Sequence, residues 1–189
     1  MPLKKFYIIS LAIVLGIFAC KPHSHPDKKI FSYNESSGIT SLDPLKATNL
    51  SNIWAVQQIY EGLLYIDSIG NLQTLLVNEW KVNDSLNLYL FTIKQDVYFQ
   101  DDVCFNGKRK KMTAFDVIYS YQRILRSSAS WVLKNIEIDS VMNAPMIEAV
   151  DSFHLIIHLK NPSSTFPQML AMPQCGIVPK EAVDYYGKD

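Results

Sequence analysis

The chain has 189 residues, with 18 Lys and Arg balanced by 18 Asp and Glu, and 48% of its residues are hydrophobic. This composition, with 12% aromatic residues, is typical of a chain that folds around a core and excludes an intrinsically disordered protein. The net charge of zero argues against a nucleic-acid-binding protein, because such proteins concentrate positive charge. The length suits one domain or a part of a larger one.

The first twenty residues carry the features of an export signal. Lys4 and Lys5 precede the uncharged run 6–19, which is shorter than the about 20 apolar residues that a membrane-spanning helix needs. A small residue then stands directly before Cys20, as in a lipobox, where the cysteine is acylated and becomes the new N-terminus. We therefore predict a lipoprotein signal peptide over 1–19 and lipid attachment at Cys20. The alternatives are an ordinary signal peptide with an incidental cysteine and an uncleaved anchor helix.

Residues 20–29 are polar and contain two prolines, so we predict a flexible tether between lipid and fold. His23 and His25 in this tether have no further ligands nearby, and no metal site is predicted there. Without the signal the chain keeps 16 basic and 18 acidic residues. Cys104 and Cys175 remain, and they either form a disulfide or stay as buried free thiols.

The first part of the predicted fold is a strand, a turn and a helix. The strand covers 30–34 and ends at the turn-prone residues 34–38. A helix begins at Ser51, which can cap it, and continues to about Gly62 with apolar residues at helical spacing. A strand over 63–67 follows.

Alternating apolar residues then predict two antiparallel hairpins. The first joins 80–82 to 88–94, and because the second strand is apolar on both faces, we expect a sheet that is covered on both sides. Residues 97–99 continue this sheet. The four consecutive cations 108–111 are predicted to lie in a solvated loop. The second hairpin covers 146–160.

Helices complete the pattern. A T-x-x-D capping box at Thr113 begins a helix that runs to about Arg126, with Phe115 on its buried face. A short helix is predicted over 166–172, and Pro179 takes the first position of a last helix. The elements together predict an α+β fold with a mixed, mostly antiparallel sheet and flanking helices.

A series of short motifs runs through the chain. In order they are Leu42-Asp43-Pro44, Tyr60-Glu61-Gly62-Leu63, the strand pair from Tyr89 to Asp102, Thr113-Ala114-Phe115-Asp116-Val117, Pro162 to Phe166, and Ile177-Val178-Pro179-Lys180-Glu181. This order resembles solute-binding protein family 5, the oligopeptide-, dipeptide- and nickel-binding proteins of ABC importers. The chain departs from the family pattern at Thr74, where a proline is usual, and at Gln100 and Asp102, which replace a histidine and a glycine.

The resemblance implies a fold and a role. The fold is part of a type II, two-lobed periplasmic binding protein, and 30–189 resembles a partial domain, the first strand of lobe I plus its small subdomain. Because family members are longer, we expect a truncated member or a fragment. The implied function is capture of peptides or similar solutes for the permease subunits of an ABC importer, on the periplasmic side of the envelope. Peptide, nickel and sugar ligands stay open, as does the membrane that holds the anchor.

The resemblance also places a ligand-binding loop after the first strand. Asn34, Glu35, Ser36 and Ser37 occupy that loop, and their polar groups suit the backbone of an extended peptide. The alternative is that these residues only end the strand and satisfy their own turn. The family's acidic partner for a peptide N-terminus comes from a later region that this chain lacks.

No enzyme, cofactor or metal is predicted. The chain has no G-x-S-x-G nucleophile motif. His154 and His158 would lie on one strand about 13 Å apart, so they could not share an ion. The alternative function is an envelope lipoprotein that uses the retained subdomain as a protein-interaction module without transport.

Overall fold

A computed structural model describes residues 32–187, and the chain divides into two units, Met1–Asn34 and Glu35–Asp189. The second unit holds four helices and eight strands within the described residues. The helices are α1 Leu50–Gln57, α2 Ala114–Leu125, α3 Phe166–Leu170 and α4 Lys180–Tyr186. The strands are β1 Leu64–Ile66, β2 Leu72–Thr74, β3 Val77–Val82, β4 Leu88–Ile93, β5 Ile138–Asp139, β6 Ala144–Pro145, β7 Ile147–Ala149 and β8 His154–His158. Four 3₁₀ turns lie at Pro44–Lys46, Val103–Phe105, Ser130–Val132 and Pro173–Cys175.

The main sheet has four strands in the order β3-β4-β8-β7, and every neighbouring pair is antiparallel. Both predicted hairpins are therefore confirmed, and they join through β4 and β8, where Phe91 lies opposite Leu155. Two smaller antiparallel pairs, β1 with β2 and β5 with β6, stand outside this sheet.

Only one face of the sheet is fully buried. Along β4 the side chains of Tyr89, Phe91 and Ile93 are buried, while the alternate residues are partly exposed. Leu155 and Ile157 of β8 extend the buried face. The expectation of a sheet covered on both sides is wrong for the part of the chain that the structure describes, because helical cover reaches only the face that the pleat gives to the odd-numbered residues of β4.

Helix α2 covers the buried face with Val117, Tyr121 and Ile124, which are spaced four and three residues apart. Each fully buried large apolar side chain contributes about 1.5–3 kcal/mol through removal from water. Phe115 is 60% exposed, so its predicted place in the core is wrong. It lies two positions before Val117, on a different side of the helix from the residues that contact the sheet.

The N-terminal capping of α2 agrees with prediction. The Asp116 carboxylate accepts hydrogen bonds from the backbone N–H of Thr113 at 2.9 Å and from its hydroxyl at 2.8 Å. At the last helix the prediction is one residue early, since Pro179 is the cap and α4 begins at Lys180. The short helix predicted over 166–172 is confirmed as α3.

Helix α1 differs from its prediction at both ends. It begins at Leu50 because the side chain of Asn49, and not Ser51, caps it by accepting from the Asn52 N–H at 2.8 Å. It ends at Gln57 rather than near Gly62, and β1 then begins at Leu64, inside the predicted strand 63–67.

Two further strand predictions change. Residues 97–99 do not join the main sheet, and Tyr98 instead forms an isolated bridge with Lys111. Of the predicted strand 30–34, the structure describes 32–34, and these residues belong to none of the strands. The boundaries predicted at 19 and 29 lie outside the described residues.

Candidate functional site

The predicted ligand loop is a turn with polar, mostly exposed side chains. The Ser37 N–H donates to the Glu35 carboxylate at 3.0 Å, and Gly38 follows with φ +70°, a left-handed conformation that favours glycine. Ser36 and Ser37 are exposed, while Glu35 is half-buried. Asn34 belongs to the other unit and is exposed. Glu35 thus satisfies the turn itself, as the alternative reading of this loop requires, while the two serines keep their hydroxyl groups at the surface.

The segment after this loop is held by a buried amide. Asn52 is 2% exposed, and its Oδ1 accepts from the Thr40 N–H at 3.0 Å. Its Nδ2 donates to the Thr40 hydroxyl at 3.0 Å and to the Lys46 carbonyl at 3.2 Å. One side chain at the start of α1 therefore ties together residues on both sides of the Leu-Asp-Pro motif.

The aspartate of that motif has a structural role. One oxygen of Asp43 accepts from the Leu45 N–H at 3.1 Å, and the other lies 2.7 Å from Nη2 of Arg123 on α2. Nη1 of Arg123 lies 3.4 Å from the first oxygen, so the contact is forked. Burial raises the pKa of the neighbouring Tyr60, and the Asp43 charge adds to this effect.

The Tyr-Glu-Gly-Leu motif lies against the segment that leads to α4. The Ile177 N–H donates to the Glu61 carbonyl at 2.9 Å. A Cβ on Gly62 would lie 3.1 Å from the Leu170 carbonyl oxygen, and one on Gly176 would lie 3.0 Å from Cβ of Tyr60. Close approach of backbone carbonyl groups therefore explains Gly62, and the side chains of Tyr60 and Pro44 leave no room for a side chain at Gly176.

A second buried side-chain amide joins the segment before α4 to the segment before α1. The buried Gln174 donates from Nε2 to the Ala47 carbonyl at 2.7 Å, across 127 residues of sequence. Sequence reasoning did not single out Asn52, Arg123 or Gln174. No periodic or motif signal in the sequence points to the partners of these two amides. Asn52 bonds to Thr40 and Lys46, and Gln174 bonds to the Ala47 carbonyl, so the partners lie in other segments of the chain.

The basic run 108–111 is not wholly solvated. Lys110 turns inward and lies 3.2 Å from Asp116 on α2 and 2.8 Å from Glu181 on α4. Partial burial lowers the pKa of Lys110, but its hydrogen bond to Glu181 and the charge of Asp116 outweigh burial, so the pKa is raised. For Glu181, burial raises the pKa, and the hydrogen bond and charge of Lys110 outweigh it, so the pKa is lowered. Lys110 therefore joins two of the family-like motifs.

The two strand histidines serve separate partners. Nδ1 of His154 lies 2.8 Å from Asp151, and Nε2 of His158 lies 3.6 Å from Glu148. Across residues 32–187 no group of three or more His, Cys, Asp or Glu side chains is placed to hold a metal ion.

The two cysteines of the fold are free and buried. Burial, with Asp102 nearby, raises the pKa of the Cys104 thiol to about 11, and complete burial raises that of Cys175 further. Between the two possibilities left open by the sequence, the structure has free thiols.

The N-terminal predictions lie outside the part that the structure describes. These are the signal over 1–19, the lipid site Cys20, the tether 20–29 and its histidines. Among the described residues, no helix combines the length and apolar character needed to cross a membrane.

Similarity to solved structures shows which fold the chain has. The fold matches OppA of Listeria monocytogenes bound to peptide with a TM-score of 0.70 at 24% identity, over 82% of this chain and 31% of that chain. It matches the binding protein AgaA of A. tumefaciens R10, in complex with agropinic acid, with a TM-score of 0.67 at 22% identity, over 80% and 28%. The chain has the fold of part of a two-lobed periplasmic binding protein, with mixed antiparallel sheets and helices.

The family follows from the sequence match. Residues 71–189 match the model of the bacterial extracellular solute-binding proteins, family 5, middle region, and the chain belongs to this family. It is 29% identical over 153 residues to the glutathione-binding protein GsiB of Salmonella typhi, covering 81% of this chain and 28% of that protein. It is 23% identical over 201 residues to YgiS of Escherichia coli K12, named a probable deoxycholate-binding periplasmic protein, covering 96% and 36%.

These matches confirm the α+β class and the family resemblance, and the relatives are solute-binding proteins rather than enzymes. The chain spans only 28% and 36% of the two relatives' lengths. What a whole protein containing this fold binds is therefore a separate question.

Proposed function

We propose that this chain supplies part of a solute-binding protein that captures peptides or similar small solutes on the periplasmic side of the envelope and delivers them to ABC permease subunits. The observation that carries the proposal is the family match over residues 71–189. It is supported by the fold shared with OppA bound to peptide and with the Helicobacter pylori DppA in complex with the peptide STSA. No covalent chemistry is involved, and transport depends on different affinities of open and closed states for the solute.

We favour peptides as the solute class because the relatives found by sequence and the neighbours found by structure both include proteins named for peptides. GsiB is named for glutathione, which is a tripeptide, and OppA and DppA hold peptides. An extended peptide is bound largely through hydrogen bonds to its backbone. We propose that the loop of Asn34, Glu35, Ser36 and Ser37 contributes such bonds. Glu35 would hold the turn through the Ser37 N–H, and the exposed hydroxyls of Ser36 and Ser37 would face the solute.

Lipid attachment at Cys20 is the second part of the proposal. An acylated cysteine followed by the polar residues 20–29 would hold the fold near a membrane while leaving it free to turn. Mass spectrometry of the membrane fraction tests this directly. We expect a diacylglyceryl-modified N-terminal peptide that begins at Cys20 and is absent from a Cys20→Ser variant, and an unmodified mature N-terminus would show that the anchor is wrong.

Calorimetry on the complete polypeptide made by the cell tests the transport function. We expect binding of tripeptides and tetrapeptides, and no binding of nickel or deoxycholate. Tight binding of deoxycholate without peptide binding would replace the proposed solute class. As a separate species, the 189-residue chain is expected to show no measurable peptide affinity, because its family relatives are about three times as long.

A matched pair of variants tests the loop. We expect Ser36→Ala/Ser37→Ala to weaken peptide binding by roughly 5–30-fold, about 1 kcal/mol for each hydrogen bond lost. Ser68→Ala/Ser85→Ala removes two exposed turn hydroxyls elsewhere and is expected to leave affinity unchanged. If both double variants bound peptide with equal affinity, the loop would form a turn and would not contact the peptide.

An interaction module without transport is the second candidate, and the surface of α1 favours it. Leu50 is 57% exposed and Trp54, four residues later on the same helical face, is also exposed. Such apolar side chains mark surfaces that contact other polypeptide. Recovery of the complete product in a stable complex with an envelope protein, with no solute affinity, would favour this candidate over transport.

A further inference from the structure

A hairpin outside the main sheet contains four consecutive basic residues, Lys108 to Lys111. We call residues 97–112 the basic hairpin: its arms meet at the bridge between Tyr98 and Lys111, and the Phe99 N–H donates to the Lys110 carbonyl at 2.9 Å. It contains four basic and two acidic residues, whereas the chain without the predicted signal has 16 basic and 18 acidic residues. The hairpin is therefore positive within a slightly acidic protein.

Two of its cations are organised on an aromatic ring. The guanidinium carbon of Arg109 lies 4.4 Å from the centroid of the Tyr98 ring, and Nζ of Lys111 lies 5.4 Å from the same centroid. Nζ of Lys111 is also 5.7 Å from the Phe153 ring. Tyr98 is 39% exposed, so this arrangement lies at the surface. Cation–π contacts hold the two charges side by side without neutralising them.

The remaining charges of the hairpin sort into two groups. Lys110 is neutralised by Asp116 and Glu181, and Asp102 is engaged by the Cys104 N–H at 2.9 Å and by the Tyr186 hydroxyl at 3.0 Å. Lys108 and Arg109 are exposed, and so are Asp101 and Asp102 of the same loop. Lys108 and Arg109 thus face outward, and Lys111 lies half-buried beside the Tyr98 and Phe153 rings.

The same loop also carries an exposed apolar side chain. Val103, between the two acidic residues and the buried Cys104, is 64% exposed. Clustered Lys and Arg side chains together with an aromatic and an aliphatic side chain are the combination by which protein surfaces attach to anionic bilayers. An acidic protein surface would contact the cations, but burial of an exposed valine would not strengthen such a contact.

We propose that the basic hairpin is a docking surface for the anionic headgroups of a lipid bilayer, with Lys108, Arg109 and Lys111 as the contacting cations. Docking would set the orientation of the fold at the membrane. The lipid anchor proposed above would keep the hairpin close to a bilayer, but the charges and geometry that carry this proposal do not depend on the anchor or on solute binding.

Vesicle binding of the full chain tests the proposal. Vesicles of phosphatidylglycerol mixed with phosphatidylcholine are compared with phosphatidylcholine alone, and every variant keeps the same N-terminal segment, whose own lysines also favour the anionic vesicles. Each cation near an anionic surface strengthens binding roughly fivefold, so Lys108→Gln/Arg109→Gln/Lys111→Gln is expected to lose on the order of 100-fold on the anionic vesicles and little on the neutral ones.

A matched triple variant controls for net charge. Arg126→Gln/Lys134→Gln/Lys160→Gln removes three exposed cations from other parts of the fold and is expected to weaken anionic-vesicle binding by less than about threefold. Hydrogen exchange supplies a local readout: amides of 98–111 should slow on anionic vesicles in the wild type and not in the hairpin triple variant. Equal losses in both triple variants, or no preference of the wild type for anionic vesicles, would overturn the proposal.

The ring can be tested separately. Tyr98→Phe keeps the aromatic face and is expected to bind as the wild type does, while Tyr98→Ala is expected to lose roughly 2–5-fold. Stronger binding of soluble polyglutamate than of anionic vesicles would identify an acidic protein as the partner and would also overturn the proposal.

Discussion

Arg123 on α2 holds Asp43 at 2.7 Å and thereby ties the segment before α1 to a helix eighty residues later. The pair is partly buried, and the same carboxylate caps the 3₁₀ turn at Pro44–Lys46. Asp43, which belongs to the Leu-Asp-Pro motif of the family, thus has a structural role: it fixes the backbone that follows the candidate ligand loop.

The first prediction concerns this pair. Arg123→Ala leaves Asp43 partly buried without its charge partner, and we expect the free energy of unfolding to fall by about 1–3 kcal/mol in urea denaturation. Lys81→Ala provides the matched control, because its 3.1 Å contact with Glu79 is at the surface and should contribute less than about 1 kcal/mol. Similar losses in the two variants would contradict an anchoring role.

The second prediction concerns Gly62. In Gly62→Ala the new Cβ would lie 3.1 Å from the Leu170 carbonyl oxygen, and because that atom belongs to the backbone we expect a loss of about 1–3 kcal/mol. Gly70 has φ +89° and open space around it, so Gly70→Asn should lose less than about 1 kcal/mol, because only backbone strain is added and asparagine adopts positive φ more readily than most residues. Thermal unfolding of both variants checks the contrast, and a neutral Gly62→Ala would show that the backbones can move apart.

The third prediction concerns the pH dependence of α4. The lowered pKa of Glu181 means that its contact with Lys110 contributes stability above the ordinary pKa of glutamate and loses it as the pH falls through the lowered value. The raised pKa of Lys110 places the alkaline loss above the ordinary pKa of lysine. Hydrogen exchange in α4 should therefore speed up at acid pH, once the intrinsic rate is corrected.

Lys110→Gln gives the test of that cause. This variant should release α4 already at neutral pH and remove most of its acid dependence. Lys180→Gln removes an exposed contact with Asp184 within the helix and the smallest of the contributions that lower the Glu181 pKa, so the profile of α4 should stay close to that of the wild type. If hydrogen exchange in α4 of Lys110→Gln had the same pH dependence as in the wild type, the contact between Lys110 and Glu181 would not be the cause of the acid effect.

The fourth prediction concerns thiol reactivity. With a pKa of about 11 and little exposure, Cys104 should have about 100-fold less thiolate than an ordinary cysteine, and the fully buried Cys175 should be less reactive still. In a Cys20→Ser background, a thiol reagent at pH 8 should modify neither residue in the folded protein and both in urea. Lack of two reactive thiols in urea would indicate a disulfide.

Several elements could be predicted from local sequence. The hairpins of the main sheet follow from alternation of apolar residues, and the start of α2 follows from Thr113 and Asp116, because these features act over a few residues. The cap of α1 could also have been found, since Asn49 is as good a cap as Ser51; choosing Ser51 overlooked the first turn. Phe115 shows the opposite limit, because the side of a helix that becomes buried depends on which neighbours cover it.

The sequence by itself determined the two hairpins of the main sheet, the capping box of α2 and the order of motifs that places the chain in its family, because each rests on neighbours in the chain. Only the tertiary structure decided that Asp43, Asn52 and Gln174 hold distant backbone together, that Lys110 turns inward while Arg109 and Lys111 share the Tyr98 ring, and that the cysteines stay apart. These contacts join residues far apart in sequence, so their partners are defined by how the elements pack and not by spacing.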